Sequence, residues 1–364
     1  MSDHESFTHA ILAQPDDEHL RLVYADWLEE RADPRGEFIR VQTLLADAAL
    51  EKTQRSELLK REHELWALHH KDWLGPLEPL VIRSKFRRGF VEDVEMNARQ
   101  FIDHAEAMYA VAPIRAVTLW DAEHHMADLA ASSSLARLRH LGFAPEDHRF
   151  VPESNSFSTP AVHMLVSSPH LAHLRSLRFH GNDLTISEVR EIAAAPTLAN
   201  LEKLNLDGND RTGDLSLAAL MASPHLRHLK RLSLATCGLT ASGVAVLARS
   251  PFLAQLTALR LNHNRIGNEG LRALAASRHV KHLRALRLKD TGINALGVVA
   301  LTRAASLANL EILDLSDNPV SDRAGELAQA VHFDQLRELN LRGTHLTRTG
   351  VARLQQRFGD RVQF

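Results

Sequence analysis

The sequence predicts an α/β solenoid, a parallel strand followed by a helix in each repeat, preceded by a small α-helical domain. Three observations predict it: one apolar pattern recurs at a nearly fixed spacing, alternates like a strand, and is followed at constant phase by helix-start residues. The pattern L-x-x-L-x-L-x-x-(N/C/T)-x-(L/I/V) begins at Leu174, Leu201, Leu229, Leu256, Leu283, Leu310 and Leu336, with Phe179 and Arg211 as departures. Successive spacings are 27, 28, 27, 27, 27 and 26 residues. Two degenerate units, Ile114-Val117-Leu119 and Leu138-Leu141-Phe143, precede the array, and 144–161 reads as an inserted loop.

Each segment of the repeat has a physical reading. Alternation such as Leu232 with Leu234, or Leu259 with Leu261, makes a short strand with one buried face, and stacked repeats pair such strands in parallel. A column of Asn182, Asn209, Cys237, Asn264, Thr291, Asn318 and Thr344 follows the strand. Thr185, Thr240, Asn294, Ser321 and Thr347, with Gly267 in the same column, then stand as helix caps. Apolar pairs at helical spacing come next, for example Val244 with Leu247 and Leu271 with Leu274. Gly243, Gly270, Gly297 and Gly350 form a column where a missing side chain allows close packing, and Ser223-Pro224 and Ser250-Pro251 stop the helix.

These columns resemble the ribonuclease-inhibitor-like leucine-rich repeats over 114–364. The resemblance implies a curved body with strands on the concave side and helices outside. It also implies that the Asn column satisfies backbone groups in the turn leaving the strand, with Cys and Thr as poorer substitutes. Gly89 to Met96 reads as a strand and Asn97 caps a helix whose Phe101, Ile102, Ala105, Met108 and Tyr109 share a face, a cap on the solenoid's N-terminal end over 81–113. At the other end, 359–364 reads as a terminal edge strand.

The first 45 residues differ in kind, and 46–80 reads as a helical connector to the solenoid of 81–364. Leu20, Val23, Tyr24, Trp27 and Leu28 form a helical apolar stripe, Asp33-Pro34 interrupts it, and Phe38, Ile39 and Val41 begin another helix. The runs L-R-L-V-Y-A-D-W-L-E-E-R from Leu20 and G-E-F-I-R-V-Q from Gly36 resemble the short repeat-companion domain found before repeat arrays in certain bacterial proteins.

Composition narrows the functional classes. Lys and Arg number 43 against 45 Asp and Glu, with a pI near 6.9, a balance unlike the footprint of a general nucleic-acid binder or of attachment to an anionic membrane. The polar start, the lack of a membrane-length apolar run and the single cysteine, Cys237, point to a cytoplasmic, monomeric protein without disulfides. Neither a cofactor nor a metal is expected. His170 with His173, His225 with His228 and His279 with His282 recur in alternate repeats, too far apart to share an ion, and read as turn residues. Cys237 reads as a buried structural thiol, and Arg83, Lys85, Arg87 and Arg88 as the solvated side of a hairpin.

The residues flanking each central leucine should point away from the core. They include Arg178, Asn205, Arg231, Ser233, Arg260, Arg287, Lys289, Asp314, Asn340 and Arg342, with Trp120 towards the N-terminal end. An arginine-rich surface of this kind predicts non-catalytic binding or scaffolding of another protein with an acidic surface. Two alternatives are a GTPase-activating regulator of the same repeat class and a hydrolase using His180 and Asp207, with Ser233 nearby.

Overall fold

The computed structural model describes residues 2–47, 49–144 and 157–364. By contact the chain divides into two compact units, Met1–Leu141 and Gly142–Phe364. No helix among the described residues is long and apolar enough to cross a membrane.

The first unit opens with four helices: α1 (Asp3–Ala13), α2 (Glu18–Glu29), α3 (Pro34–Leu45) and α4 (Lys52–Leu74). Each of the first three starts where a side chain can satisfy an orphan amide. Ser2 and Glu5 form a reciprocal capping box on α1, Asp17 accepts from His19 and Leu20, and Asp33 accepts from Arg35 with Pro34 at the first helical position. The polar start of the chain gave no expectation of α1. A hairpin follows, β1 (Arg83–Arg87) antiparallel to β2 (Phe90–Asn97), then α5 (Ala98–Val111) capped by Asn97, β3 (Ala116–Trp120) parallel to β2, and α6 (Met126–Ala131). On β1, Arg83 faces Glu95 at 3.6 Å and Lys85 faces Asp93 at 3.9 Å, so much of the basic run is locally offset. Strand β4 (His140–Phe143) straddles the boundary between the units.

The core of this helical part is Ile11, Tyr24, Ala25, Leu28, Ile39 and Phe90. Tyr24 and Leu28 lie inside as the stripe predicts, but Val23 is 38% exposed and Arg21 is fully buried. The Arg21 guanidinium is matched on nearly every side. Its Nη2 donates to Glu92 and to the Pro15 carbonyl, both at 2.7 Å, and its Nη1 donates to the carbonyls of Arg87 at 2.8 Å and Arg88 at 3.3 Å. The cation also sits 5.1 Å above the centre of the Phe90 ring. A buried charge survives only with this degree of pairing. The hairpin turn is pressed against α3 as well: at Gly89, with φ of 80°, a Cβ would lie 2.1 Å from Ile39 Cγ1.

In the second unit α7 (Thr159–Val166) begins inside the segment expected as a loop and takes up only its last residues, 159–161; 145–156 lies outside the described residues. Seven strands follow: β5 (Ser176–Phe179), β6 (Lys203–Asn205), β7 (Arg231–Ser233), β8 (Ala258–Arg260), β9 (Ala285–Arg287), β10 (Ile312–Asp314) and β11 (Glu338–Asn340). They pair in parallel in chain order, with Leu177, Leu204, Leu232, Leu259, Leu286, Leu313 and Leu339 in one register. β12 (Val362–Gln363) pairs on β11, which places the expected terminal strand. Between strands lie α8 (Ile186–Ala194), α9 (Gly213–Ala222), α10 (Ala241–Arg249), α11 (Gly267–Ala275) and α12 (Ala295–Thr302), with α13 (Arg348–Phe358) before β12. After β10 the connection is instead a 3-10 helix, Ser321–Gln329. Ser321 is therefore not a helix cap. It adopts a left-handed φ of 46°, in the column that Gly267 fills.

The repeats alternate between two turn designs. In one, a second left-handed residue directly follows the Asn column, at Asp183, Gly238, Gly292 and His345; in the other it comes later, at Gly213, Gly267 and Ser321. The later design carries the working asparagines. Asn264 accepts from the amides of Cys237 and Leu239 in the preceding repeat at 3.0 and 2.9 Å and donates to the carbonyls of Leu234 and Leu261 at 2.7 and 2.9 Å. Asn209 and Asn318 repeat this pattern. Cys237, Thr291 and Thr344 belong to the other design, where their own shorter side chains each reach one or two acceptors.

The opposite junctions are held differently. The amides of Gly213, Gly267 and Ser321 donate forward to the carbonyls of Cys237, Thr291 and Thr344 at 2.8, 2.9 and 2.9 Å. Asp214, Asn268 and Asp322 accept from the amides of the next repeat's cap residues, Thr240, Asn294 and Thr347. The glycine column explains itself here: a Cβ at Gly243, Gly297 or Gly350 would collide with Asp214, Asn268 or Asp322 at 2.1, 2.7 and 2.6 Å.

Two outcomes test these assignments. Arg21→Met should destabilise the protein by about 3 to 5 kcal/mol because it leaves buried Glu92 with only its 3.6 Å pair to Arg88, and adding Glu92→Leu should restore much of the loss. Urea melts of both variants check this, and an unrestored double variant would refute the pairing argument. Asn264→Ala should cost at least about 2 kcal/mol through its unsatisfied buried amides, against about 1 kcal/mol or less for Cys237→Ala. Equal costs in matched urea melts would show that the two turn designs are not energetically distinct.

Candidate functional site

The outward face of the second unit's sheet carries three rows of side chains fixed by the strand register. The first row is Ser176, Lys203, Arg231, Ala258, Ala285, Ile312 and Glu338, and the second is Arg178, Asn205, Ser233, Arg260, Arg287, Asp314 and Asn340. Two residues further along each chain segment come His180, Asp207, Ala235, Asn262, Lys289, Ser316 and Arg342. All the predicted binding residues except Trp120 fall in these rows. Trp120 belongs to the first unit, half-buried, where its indole N–H donates to Glu95 at 2.6 Å.

Several of these side chains are already engaged. Asn205, Asp314 and Asn340 each accept from the amide two residues on, at 2.8, 3.0 and 3.2 Å, closing the turn that leaves the strand. Arg260 donates across two repeats to Asp207 at 3.1 Å, and Lys289 pairs with Asp317 at 3.1 Å. Along one margin, Arg175 meets Glu202 at 2.5 Å and Arg284 meets Glu311 at 2.8 Å. The hydrogen bond from Arg175 holds the Glu202 carboxyl below the usual carboxylate range. What remains is selective: among the described residues the guanidinium groups of Arg231, Arg287 and Arg342 have no side-chain partner.

A second feature was not anticipated. Ala258, Ala285 and Ile312 form a strip of small and apolar side chains in consecutive repeats, in the same row as Arg231 and one row from Arg260 and Arg287. Its signal is visible in the sequence, as the residue before the central leucine of three successive repeats.

The groups considered for catalysis are placed differently from a working triad. Asp207, only 3% exposed, accepts from the Ser233 hydroxyl and the Ala235 amide, both at 2.7 Å, and from Arg260. His180 is exposed and hydrogen-bonds neither Asp207 nor Ser233, so the serine hydroxyl faces a carboxylate and lacks an imidazole base. Burial pushes the Cys237 thiol up to about 12, and its Sγ donates to the Leu206 carbonyl at 3.1 Å. In each His-x-x-His pair the first ring is half-buried and the second exposed, and among the described residues no group of three or more His, Cys, Asp or Glu is placed to hold a metal.

The Asp207 network makes an energetic prediction. Asp207→Ala should cost about 1 to 3 kcal/mol by leaving the Ala235 amide unsatisfied, whereas Arg260→Ala, half-exposed at its outer end, should cost about 1 kcal/mol or less. Thermal melts rank the two; a costlier Arg260→Ala would mean that the ion pair, and not the carboxylate's amide bond, holds the turn.

The sequence profile of the family described as "Leucine Rich repeat" matches residues 225–248, 255–275 and 306–327. No curated protein matches the chain in sequence. Among solved structures, a leucine-rich-repeat protein of Leptospira interrogans is similar at 17% identity and a TM-score of 0.35, over 69% of this chain and 71% of that one. The yeast Rad7 and Elc1 complex is similar at 14% identity and 0.42, over 97% and 84%. A Bacteroides fragilis protein is similar at 15% identity and 0.47, over 85% and 83%. Repeat profile, strand register and alternating helices together make the second unit an α/β leucine-rich-repeat solenoid.

Proposed function

We propose that the second unit binds an acidic segment of another protein on the outward face of its sheet, without chemistry of its own. The observation that carries this reading is the contrast between spent and unspent charges on one face. Arg175, Arg260, Arg284 and Lys289 are offset by carboxylates, while Arg231, Arg287 and Arg342 are left without side-chain partners on the face that holds the Ala258–Ala285–Ile312 strip. A face shaped only for solubility needs scattered, mutually compensated charges. An apolar strip flanked by unpaired guanidinium groups instead offers desolvated contact and charge-assisted, bidentate hydrogen bonds to carboxylates. The absence of a Ser233–His180 hydrogen bond supports binding over hydrolysis.

The test is charge reversal. Arg231→Glu, Arg287→Glu and Arg342→Glu combined should weaken a partner recovered by affinity purification at least tenfold, with the wild-type interaction itself weakening as salt rises. Arg272→Glu with Arg303→Glu, on the helical side, should leave affinity unchanged. Calorimetry at low and moderate salt checks both. A sheet-face variant that binds like wild type, with a failing helix-side variant, would move the binding surface elsewhere.

A further inference from the structure

The first unit encloses a cavity of about 570 Å³ between α1, the turn after α4, β2 and the end of α5. Its wall is largely apolar, with Leu12, Trp73, Leu77 and Val91, and Trp73 is itself fixed by stacking on Phe38 at 4.7 Å. One cation lines it, Arg35. Its guanidinium lies 4.8 Å above the centre of the Phe90 ring and its Nε donates to the Gly89 carbonyl at 3.2 Å. Among the described residues no hydrogen bond engages its two Nη groups, and its carboxylate neighbour, Asp33, acts on it only through space.

The contrast with Arg21 gives this its meaning. Both guanidinium groups flank the same Phe90 ring, but Arg21, a structural cation, has four hydrogen bonds, one of them to Glu92. Arg35 has one bond, and burial pulls its pKa below the ordinary arginine value. Arg35 is half-buried and its two Nη groups are not sealed from water, so they are free to meet an acceptor that enters the cavity.

We infer that this cavity is a binding site for an apolar monocarboxylate, its head on the Nη groups of Arg35 and its body against Trp73, Leu77 and Val91. The volume lies within the range of small-molecule pockets, about 300 to 1,000 Å³. With Nε committed to Gly89, the Nη pair presents parallel donors at the spacing of two carboxylate oxygens. Glu5 and Asp72 also line the cavity and repel any anion, so a head with a second negative charge would meet about twice the repulsion that a monoanion does. His4 is turned to Tyr24, with Nδ1 and the phenol oxygen 2.9 Å apart, which leaves Arg35 as the principal head-group contact. This site lies in the first unit and is independent of the proposed protein-binding face.

The experiment uses the full chain, with decanoate, decanol and decyl phosphate as probes below their aggregation concentrations, titrated by calorimetry near neutral pH. Decanoate should bind one per chain, at least tenfold more tightly than either analogue. Arg35→Gln should remove that preference while leaving decanol binding unchanged, and Val111→Trp, at the cavity's half-exposed rim, should abolish binding of all three. Circular dichroism melts confirm that each variant folds; if Arg35→Gln does not, the comparison of head groups on wild type and the Val111→Trp variant still decide the matter. Absent saturable binding, equal affinity for decanoate and decanol, tighter binding of decyl phosphate, or undiminished binding to Val111→Trp would each overturn the assignment.

Discussion

Backbone amides and carbonyls must be satisfied where the chain leaves each strand and turns towards its helix, out of reach of water. That constraint organises the second unit. A buried unpaired amide costs about as much as a hydrogen bond is worth, and each repeat brings several to the same depth. The chain meets the demand with two devices used in turn. Asn209, Asn264 and Asn318 reach back, each accepting from two amides of the preceding repeat and donating to carbonyls on both sides. Asp214, Asn268 and Asp322 reach forward to the next cap residue, through space left by Gly243, Gly297 and Gly350. The structural unit is therefore a pair of repeats. A Cys or Thr in the Asn column is not a defect, because at that junction other groups carry the load.

The same economy shapes the outward face. A side chain two residues before a turn can close it locally, and Asn205, Asp314 and Asn340 do so. Asp207 goes further, joining Ser233, the Ala235 amide and Arg260 across three strands. Such residues stiffen the surface more than they advertise it. The proposed recognition would fall to side chains whose donors remain unspent, and to the strip of Ala258, Ala285 and Ile312, where small side chains would let a partner's backbone approach the sheet.

The fold was legible because its signal is repetition. Seven copies of a pattern, each with alternation, a cap and a helical stripe, over-determine the register, and the pairing from Leu177 to Leu339 follows it residue by residue. What escaped lacks repetition or depends on distance. Helix α1 rests on one capping box and a weak apolar face, so a polar run concealed it. The burial of Arg21 has no sign in an apolar pattern, because only the fold brings Glu92 and three carbonyls around it. Ser321 sits in a capping column, but the left-handed backbone of its turn design overrides side-chain preference. The candidate site was half legible: the rows came from alternation, whereas the Arg260–Asp207 link spans 53 residues and has no local sign.

Four arginines show why residue type alone could not rank the sites. Arg21 is fully buried and matched at both Nη groups, with only its Nε lacking a partner, so its charge is spent on holding the hairpin to the helices. Arg260 is half-exposed and tied to a buried carboxylate; its charge is largely spent as well. Arg231 has unspent donors but stands in water, where the cost of leaving them unpaired is small and the gain on meeting a carboxylate is correspondingly modest. Arg35 combines two unspent Nη donors with a partly apolar, half-open cavity, so the proposed anion gains more there than at an arginine standing wholly in water. The four differ less in where their charges lie than in which donors the fold has left unmatched.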